Sequence, residues 1–210
     1  MEDKMNLDQL CAECGYRFAD RASRIMFNID RHIEDIISEL KEGKLHNQLK
    51  KEFENRKISL ENLHIEQENE GKWQIKSNEK QFVIEKRDAI LSVYKKDAVP
   101  SDAKKAEVLI TKALGVLQEQ GLYAFALFCK SRPSGERAGA EEIEATAKEL
   151  LKVLKELDFI NNFINNGDFL EELRKDNGLL TNLDDLMLAI QMLEKSLIYA
   201  RFHAKAIKES

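Results

Sequence analysis

Proline and glycine are scarce. The 210 residues hold 2 Pro and 9 Gly, too few breakers for a chain built of short strands and tight turns, and the wealth of Glu, Lys, Leu and Ala points to long helices. With 43% apolar residues and no low-complexity tract, neither a disordered nor a collagen-like protein is expected. The three cysteines, Cys11, Cys14 and Cys129, are too few and too unevenly placed for a disulfide framework, and read as thiols of a reducing compartment. No apolar run approaches the length of about 18 residues that a bilayer demands. The longest is Leu122 to Cys129, and the opening MEDKMNLDQL has no secretory core, so a cytoplasmic chain without membrane partners is expected. Nor does positive charge dominate: 33 Lys and Arg against 38 Asp and Glu leave a net charge of −5. That balance excludes a wholly basic nucleic-acid binder and leaves only local patches.

What is present is helical periodicity. Apolar residues recur every three or four positions from Leu7 through Phe18, Ile25, Ile29 and Ile33 to Leu40, which predicts one helix of about 36 residues, capped at Asn6 and stopped at Gly43. Leu45, Leu49 and Phe53 predict a second helix ending near Arg56. The period then falls to two in Leu63-His-Ile65, Trp73-Gln-Ile75 and Phe82-Val-Ile84, separated by Asn69 to Gly71 and Ser77 to Lys80, the pattern of a small antiparallel meander. So short a meander is unstable alone and must pack on helices through Trp73, Phe82 and Ile84. A short helix over Asp88 to Lys96 leads to a boundary at Pro100, after which Ser101 or Asp102 caps a new helix. That helix runs to Gln120-Gly121 and continues as Leu122 to Cys129. Arg132 to Gly139 reads as a solvated loop, Ile143 to Phe163 as a helix stopped at Asn165-Asn166-Gly167, and Asp168 with Glu171 as the start of a short one. Thr181 or Asn182 opens the last helix, with Asp184 and Asp185 in its first turn. The expected fold is mainly α: residues 1–99 as a long helix, a second helix and a β-meander, and residues 100–210 as an antiparallel helical bundle.

Motifs for chemistry are missing. GxxxxGK[ST] and GxGxxG do not occur, so the usual phosphate cradles are excluded, and GxSxG and HExxH fail likewise. Cys11-x-x-Cys14 lies within a helical stripe without a second pair or a His pair nearby, and reads as two packed thiols where structural zinc wants four ligands. The four histidines, His32, His46, His64 and His203, are scattered, and the seven residues between Arg24 and His32 exceed the spacing of four to six used by compact helical RNases. No ExxH pairs occur on facing helices, as a di-iron bundle needs, and Asp184 and Asp185 suit the helix dipole better than acid–base work. No enzyme activity, cofactor or small-molecule substrate is expected.

Local basic groups are the remaining signal. Lys195, Arg201, Lys205 and Lys208 lie in the last helix, the last three within about 60° of one another on the helical wheel. Tyr199 and Phe202 project to the opposite side, a second surface for a neighbouring subunit. Lys130, Arg132 and Arg137 form another group, and Lys104, Lys105 and Lys112 lie on the helix before it. Either they are solvated cations favoured by helix C-termini, or they neutralise nucleic-acid phosphates without reading sequence.

Two stretches carry a family likeness. Leu117-Gln-Glu-Gln-Gly-Leu-Tyr-Ala-Phe-Ala-Leu-Phe-Cys-Lys-Ser131, a helix with a glycine-leucine bend, and Leu186 to Ile207 with Leu193, Lys195, Leu197, Tyr199 and Arg201 resemble the small helical subunit of type III-B CRISPR RAMP effector complexes. The likeness spans Asp102 to Ser210, and the first hundred residues have no counterpart in it. It implies a non-catalytic bundle that stacks on copies of itself and on other effector subunits, turns basic surface toward crRNA and its target, and leaves cutting to its partners. The residues by themselves also suit a helical protein-interaction module unrelated to nucleic acid.

Overall fold

The computed structural model describes residues 6–78, 80–87, 90–163 and 167–209. Its elements run α1 (Leu7–Arg24), β1 (Ile25–Ile29), α2 (Ile33–Lys41), α3 (Asn47–Asn55), β2 (His64–Asn69), β3 (Lys72–Ser77), β4 (Lys80–Arg87), β5 (Ile90–Lys95), α4 (Pro100–Lys130), α5 (Ser134–Glu156), α6 (Phe169–Arg174), a 3-10 turn (Leu179–Thr181) and α7 (Leu183–Glu209). The protein is mainly α, with an antiparallel sheet. It divides into two compact units: Met1–Ser23 with Ala98–Ser210, and Arg24–Asp97.

The larger unit is a helical bundle. Its core gathers Leu10, Cys14 and Phe18 of α1, Ile110, Leu117 and Phe125 of α4, Leu150 and Leu154 of α5, and Leu193 and Leu197 of α7. Each such side chain contributes about 1.5–3 kcal/mol by leaving water. Gly121 interrupts α4 with φ 82 and ψ −175, a conformation open in practice to glycine alone, and turns the helix at an elbow. Helix starts follow local chemistry. Asn182 Oδ1 accepts from the amides of Asp184 and Asp185 at 3.1 and 3.2 Å, and Asp168 Oδ1 from those of Leu170 and Glu171 at 2.9 and 3.3 Å. Gly15 lets α1 lie directly on α7, because a Cβ there would stand 2.8 Å from the Ser196 carbonyl oxygen.

The smaller unit is a five-stranded sheet, in the order β1-β5-β4-β3-β2, covered on one face by α2 and α3. The register sets Phe27, Val93, Ile84 and Trp73 in one row across the sheet. These residues and Ile75, Phe82 and Leu91 pack with Ile36, Leu40, Leu49 and Phe53. The two ends of the unit lie side by side: Ile25 pairs with Tyr94, and Arg24 Nη1 donates to the Lys96 carbonyl at 3.0 Å.

Several expectations need correction. The helix expected over Leu7 to Leu40 is three elements, α1, β1 and α2, with His32 in the left-handed region (φ 54) where the chain turns into α2. Because α1 packs into the bundle, the boundary is not at residues 99 and 100 alone: the bundle is discontinuous and Arg24–Asp97 is an insertion within it. The helix expected near Asp88 to Lys96 is the strand β5, held between β4 and β1. Pro100 is the first residue of α4 rather than a break before it, since its missing N–H lies among those a helix leaves unbonded, and no side chain caps this start. The Arg132 to Gly139 loop is mostly helix, as α5 begins at Ser134. That helix stops at Glu156; Ile160 and Phe163 stay buried beyond a left-handed Asp158 (φ 58). Glu79, Asp88, Asn165 and Asn166, invoked for turns and caps, lie outside the described residues.

Candidate nucleic-acid interface

The seven basic residues singled out from the sequence all fall in the bundle, and their partners sort them. Lys130 ends α4 and is ion-paired with Asp168, with Glu144 at 3.6 Å. Lys195 lies 2.6 Å from Asp8, which also accepts from the Tyr199 hydroxyl at 2.8 Å. This pair of donors holds the Asp8 carboxyl below its ordinary range. Burial pushes the Glu144 carboxyl up, against the pull of Lys130. Both lysines therefore tie helices together, Lys130 joining α4 to α5 and α6, and Lys195 joining α7 to α1.

Of the other five, Lys208 and Arg132 meet carboxylates on or beside the first arm of α4. Lys208, near the end of α7, donates to Glu107 of α4 at 3.1 Å. One turn further along α4, Lys112 donates to Glu136 in the first turn of α5 at 2.7 Å, and the same carboxylate takes Arg132 at 3.7 Å. Gly139 lies against Leu109, so the start of α5 and the end of α7 both flank the first arm of α4. Between them α4 exposes Lys104, Lys105, Val108 and Thr111. From Lys104 to Lys112 the arm rises about 12 Å.

Charge on this arm is only partly neutralised. Among the described residues, Lys104, Arg137 and Arg201 have no carboxylate within ion-pair distance, and Lys205 meets Glu209 only at 4.0 Å. Arg201 instead sits over the Phe202 ring at 5.2 Å. Such cations gain little from the fold and are available to an anion. Exposed cations of this kind suit contacts to a nucleic-acid backbone and not to base edges.

No family model, curated protein or solved structure matches the chain. The arrangement must speak for itself. Among the described residues there is no group of three or more His, Cys, Asp or Glu placed to hold a metal, and no helix is long and apolar enough to cross a membrane. Cys11 and Cys14 are both buried, and burial pushes the Cys14 thiol up to about 12, far from a reactive thiolate.

The carboxylates that decide which cations are free were not legible beforehand. Glu136, Asp168 and Glu107 stand 24, 38 and 101 positions from Lys112, Lys130 and Lys208, and Asp8 lies on the first helix while Lys195 lies on the last, so only the tertiary fold reveals these pairings. Lys104, Lys105 and Lys112, read as a secondary group, are central to the arm, while Lys130 and Lys195 are occupied elsewhere.

Proposed function

We propose that the protein is a non-catalytic structural subunit of a cytoplasmic type III CRISPR ribonucleoprotein, in contact with the guide–target duplex through the first arm of α4 and the helix ends beside it. One observation carries this reading. The two stretches that bear the family likeness lie on α4 and α7, the helices that frame the arm, and the glycine of the glycine-leucine bend occupies the elbow at Gly121, where φ is 82. Of the cations without carboxylate partners, Lys104 and Arg201 lie on these two helices and Arg137 on α5. A binding face of three or four phosphate-contacting residues has no use for a catalytic group, and its affinity falls steeply with salt.

The test is titration of a labelled guide–target RNA duplex by fluorescence anisotropy at several salt concentrations. Reversing Lys104, Arg137, Arg201 and Lys205 to Glu is expected to weaken binding at least tenfold and to flatten the salt dependence by about two to four powers. Salt-insensitive binding, or binding unchanged by the four reversals, overturns the reading. A protein-interaction module is the second reading, favoured by the outer side of α7, where Leu183, Met187 and Phe202 are 68%, 52% and 57% exposed. It predicts that Met187→Lys disrupts assembly with partner proteins while the charge reversals leave it intact.

A further inference from the structure

The side of α7 turned away from the bundle is apolar where a solvated helix would be polar. At about 100° per residue, Leu183, Met187, Gln191, Ile198 and Phe202 fall within a sector of about 100°. Leu183, Met187 and Phe202 are exposed and Ile198 is half-buried. The buried Ala189, Leu193 and Ala200 lie on the opposite side of the helix. A helix that packs on one side only has no use for this second apolar strip.

Charge divides along the same strip. Asp184 stands exposed in the first turn of α7, and Arg201, about two turns before its end, lies over the Phe202 ring at 5.2 Å. Among the described residues neither has an opposite charge within ion-pair distance. The strip is also symmetric in sequence. Leu183 with Phe202, Asp184 with Arg201, Met187 with Ile198 and Gln191 with Glu194 are all centred between Met192 and Leu193. A second α7 turned end for end therefore matches the first. Apolar residues come opposite apolar ones, the Gln191 amide faces the Glu194 carboxylate, and Asp184 faces Arg201, each pair occurring twice. A parallel copy would set Asp184 against Asp184 and Arg201 against Arg201, and an acyl-chain surface would leave Asp184, Gln191 and Glu194 unanswered.

We infer that the outer side of α7 is a docking surface for a second copy of this chain, packed antiparallel about a twofold axis at Met192 and Leu193. The inference rests on the protein-interaction reading and names its partner. A strip about 28 Å long and one helix wide buries on the order of 600 Å² over both copies, the scale of a weak and reversible contact. Lys104 and Arg137, on α4 and α5, are not part of it.

The test is sedimentation velocity of the full chain, without nucleic acid, from about 5 to about 500 µM. Wild type is expected to pass from monomer to dimer in the upper part of that range and to go no further. Met187→Lys should hold it monomeric. Asp184→Arg and Arg201→Asp should each weaken the dimer about tenfold, because every substitution breaks two symmetry-related pairs and sets like charges together. The chain carrying both should regain the wild-type association. The substituted side chains lie on the outer side of the helix, so the circular dichroism of the variants should match wild type. A wild type that stays monomeric throughout, assembly that grows past the dimer as in head-to-tail stacking, or a double variant no better than either single one overturns the inference. RNA is absent from the measurement, so such a failure leaves the duplex reading standing. Wild type that never dimerises, while Met187→Lys still disrupts assembly with partner proteins, keeps the interaction reading and removes the self-pairing.

Discussion

Gly15→Ala is a test of sign. In an exposed helix the substitution stabilises by about 0.4–1 kcal/mol, because alanine has less freedom to lose on folding. At Gly15 the new methyl would meet the Tyr199 Cβ at 2.6 Å, the Ser196 carbonyl oxygen at 2.8 Å and the Ala200 nitrogen at 3.1 Å. Two of these are backbone atoms of α7, so no rotamer change relieves the clash and the two helices must part by several tenths of an ångström. That gap loosens the contacts of Cys11, Cys14 and Phe18, all buried at 1% exposure or less. Overpacking of this kind costs about 1–3 kcal/mol, which exceeds the helical gain and leaves a net loss of about 1–2 kcal/mol. Gly115→Ala serves as the internal control, since nothing lies within 4 Å of its added Cβ, and it should stabilise by up to about 1 kcal/mol. Urea unfolding separates the two units. The one tryptophan, Trp73, is buried in the smaller unit, so its fluorescence reports that unit, while helical ellipticity is dominated by the bundle. The ellipticity midpoint should fall in Gly15→Ala while the fluorescence midpoint stays put. A rise in the ellipticity midpoint would refute the close α1–α7 contact, and a matching fall in both would refute independent units.

Three further outcomes follow from the same contacts. Native protein at pH 8 should leave Cys11, Cys14 and Cys129 unmodified by a disulfide-exchange reagent, with three thiols titrating on denaturation, because all three are buried and burial raises each thiol; rapid labelling of the folded chain would contradict this. Asp168 is held below its ordinary range first by Lys130 and then by the amides it caps, so its contribution is present above the carboxylate range and lost as pH falls through it. Asp168→Asn keeps the cap but drops the ion pair, and should cost about 1 kcal/mol at neutral pH with a shallower acid limb in thermal melts. Joining Ser23 to Ala98 through a short glycine-serine linker should leave a folded bundle, since the insertion enters and leaves through the paired residues Ile25 and Tyr94, whose Cα atoms are about 5 Å apart as antiparallel neighbours; an unfolded product by circular dichroism would sink it.

The bundle was largely legible because its helices obey one rule over many turns. Asn182 and Asp168 could be recognised as caps, and the 3.6-residue period through Leu193, Leu197 and Ala204 named core residues that are fully buried. The insertion was half hidden for a reason internal to the pattern. Ile25, Ile29 and Ile33 are four residues apart, a spacing that is close to one helical turn and also an even number, so it continues a helical stripe and a strand face equally well. Only Phe27, two residues from each of Ile25 and Ile29, marks period two, and β5 was harder still, since Leu91 to Tyr94 are buried on both faces and show no alternation. Pairing to each other across the sheet, not propensity, makes these two segments strands.

The candidate interface shows the same division between pattern and pairing. Which residues are basic is written in the chain, and a net charge of −5 says only that acids outnumber them. What decides availability is the carboxylate each base meets, and for three of them it lies on another helix: Glu107 answers Lys208, Glu136 answers Lys112, and Asp8 answers Lys195. Cancelling these pairs leaves Lys104, Arg137 and Arg201, on α4, α5 and α7, with no carboxylate within ion-pair distance among the described residues. The acid therefore decides which cations are left for an anion. Glu107→Gln should release Lys208 from α4 and strengthen duplex binding severalfold at low salt, with the difference vanishing as salt rises. A weakened complex in that variant would mean that the position of α7, and not the count of free charge, limits affinity.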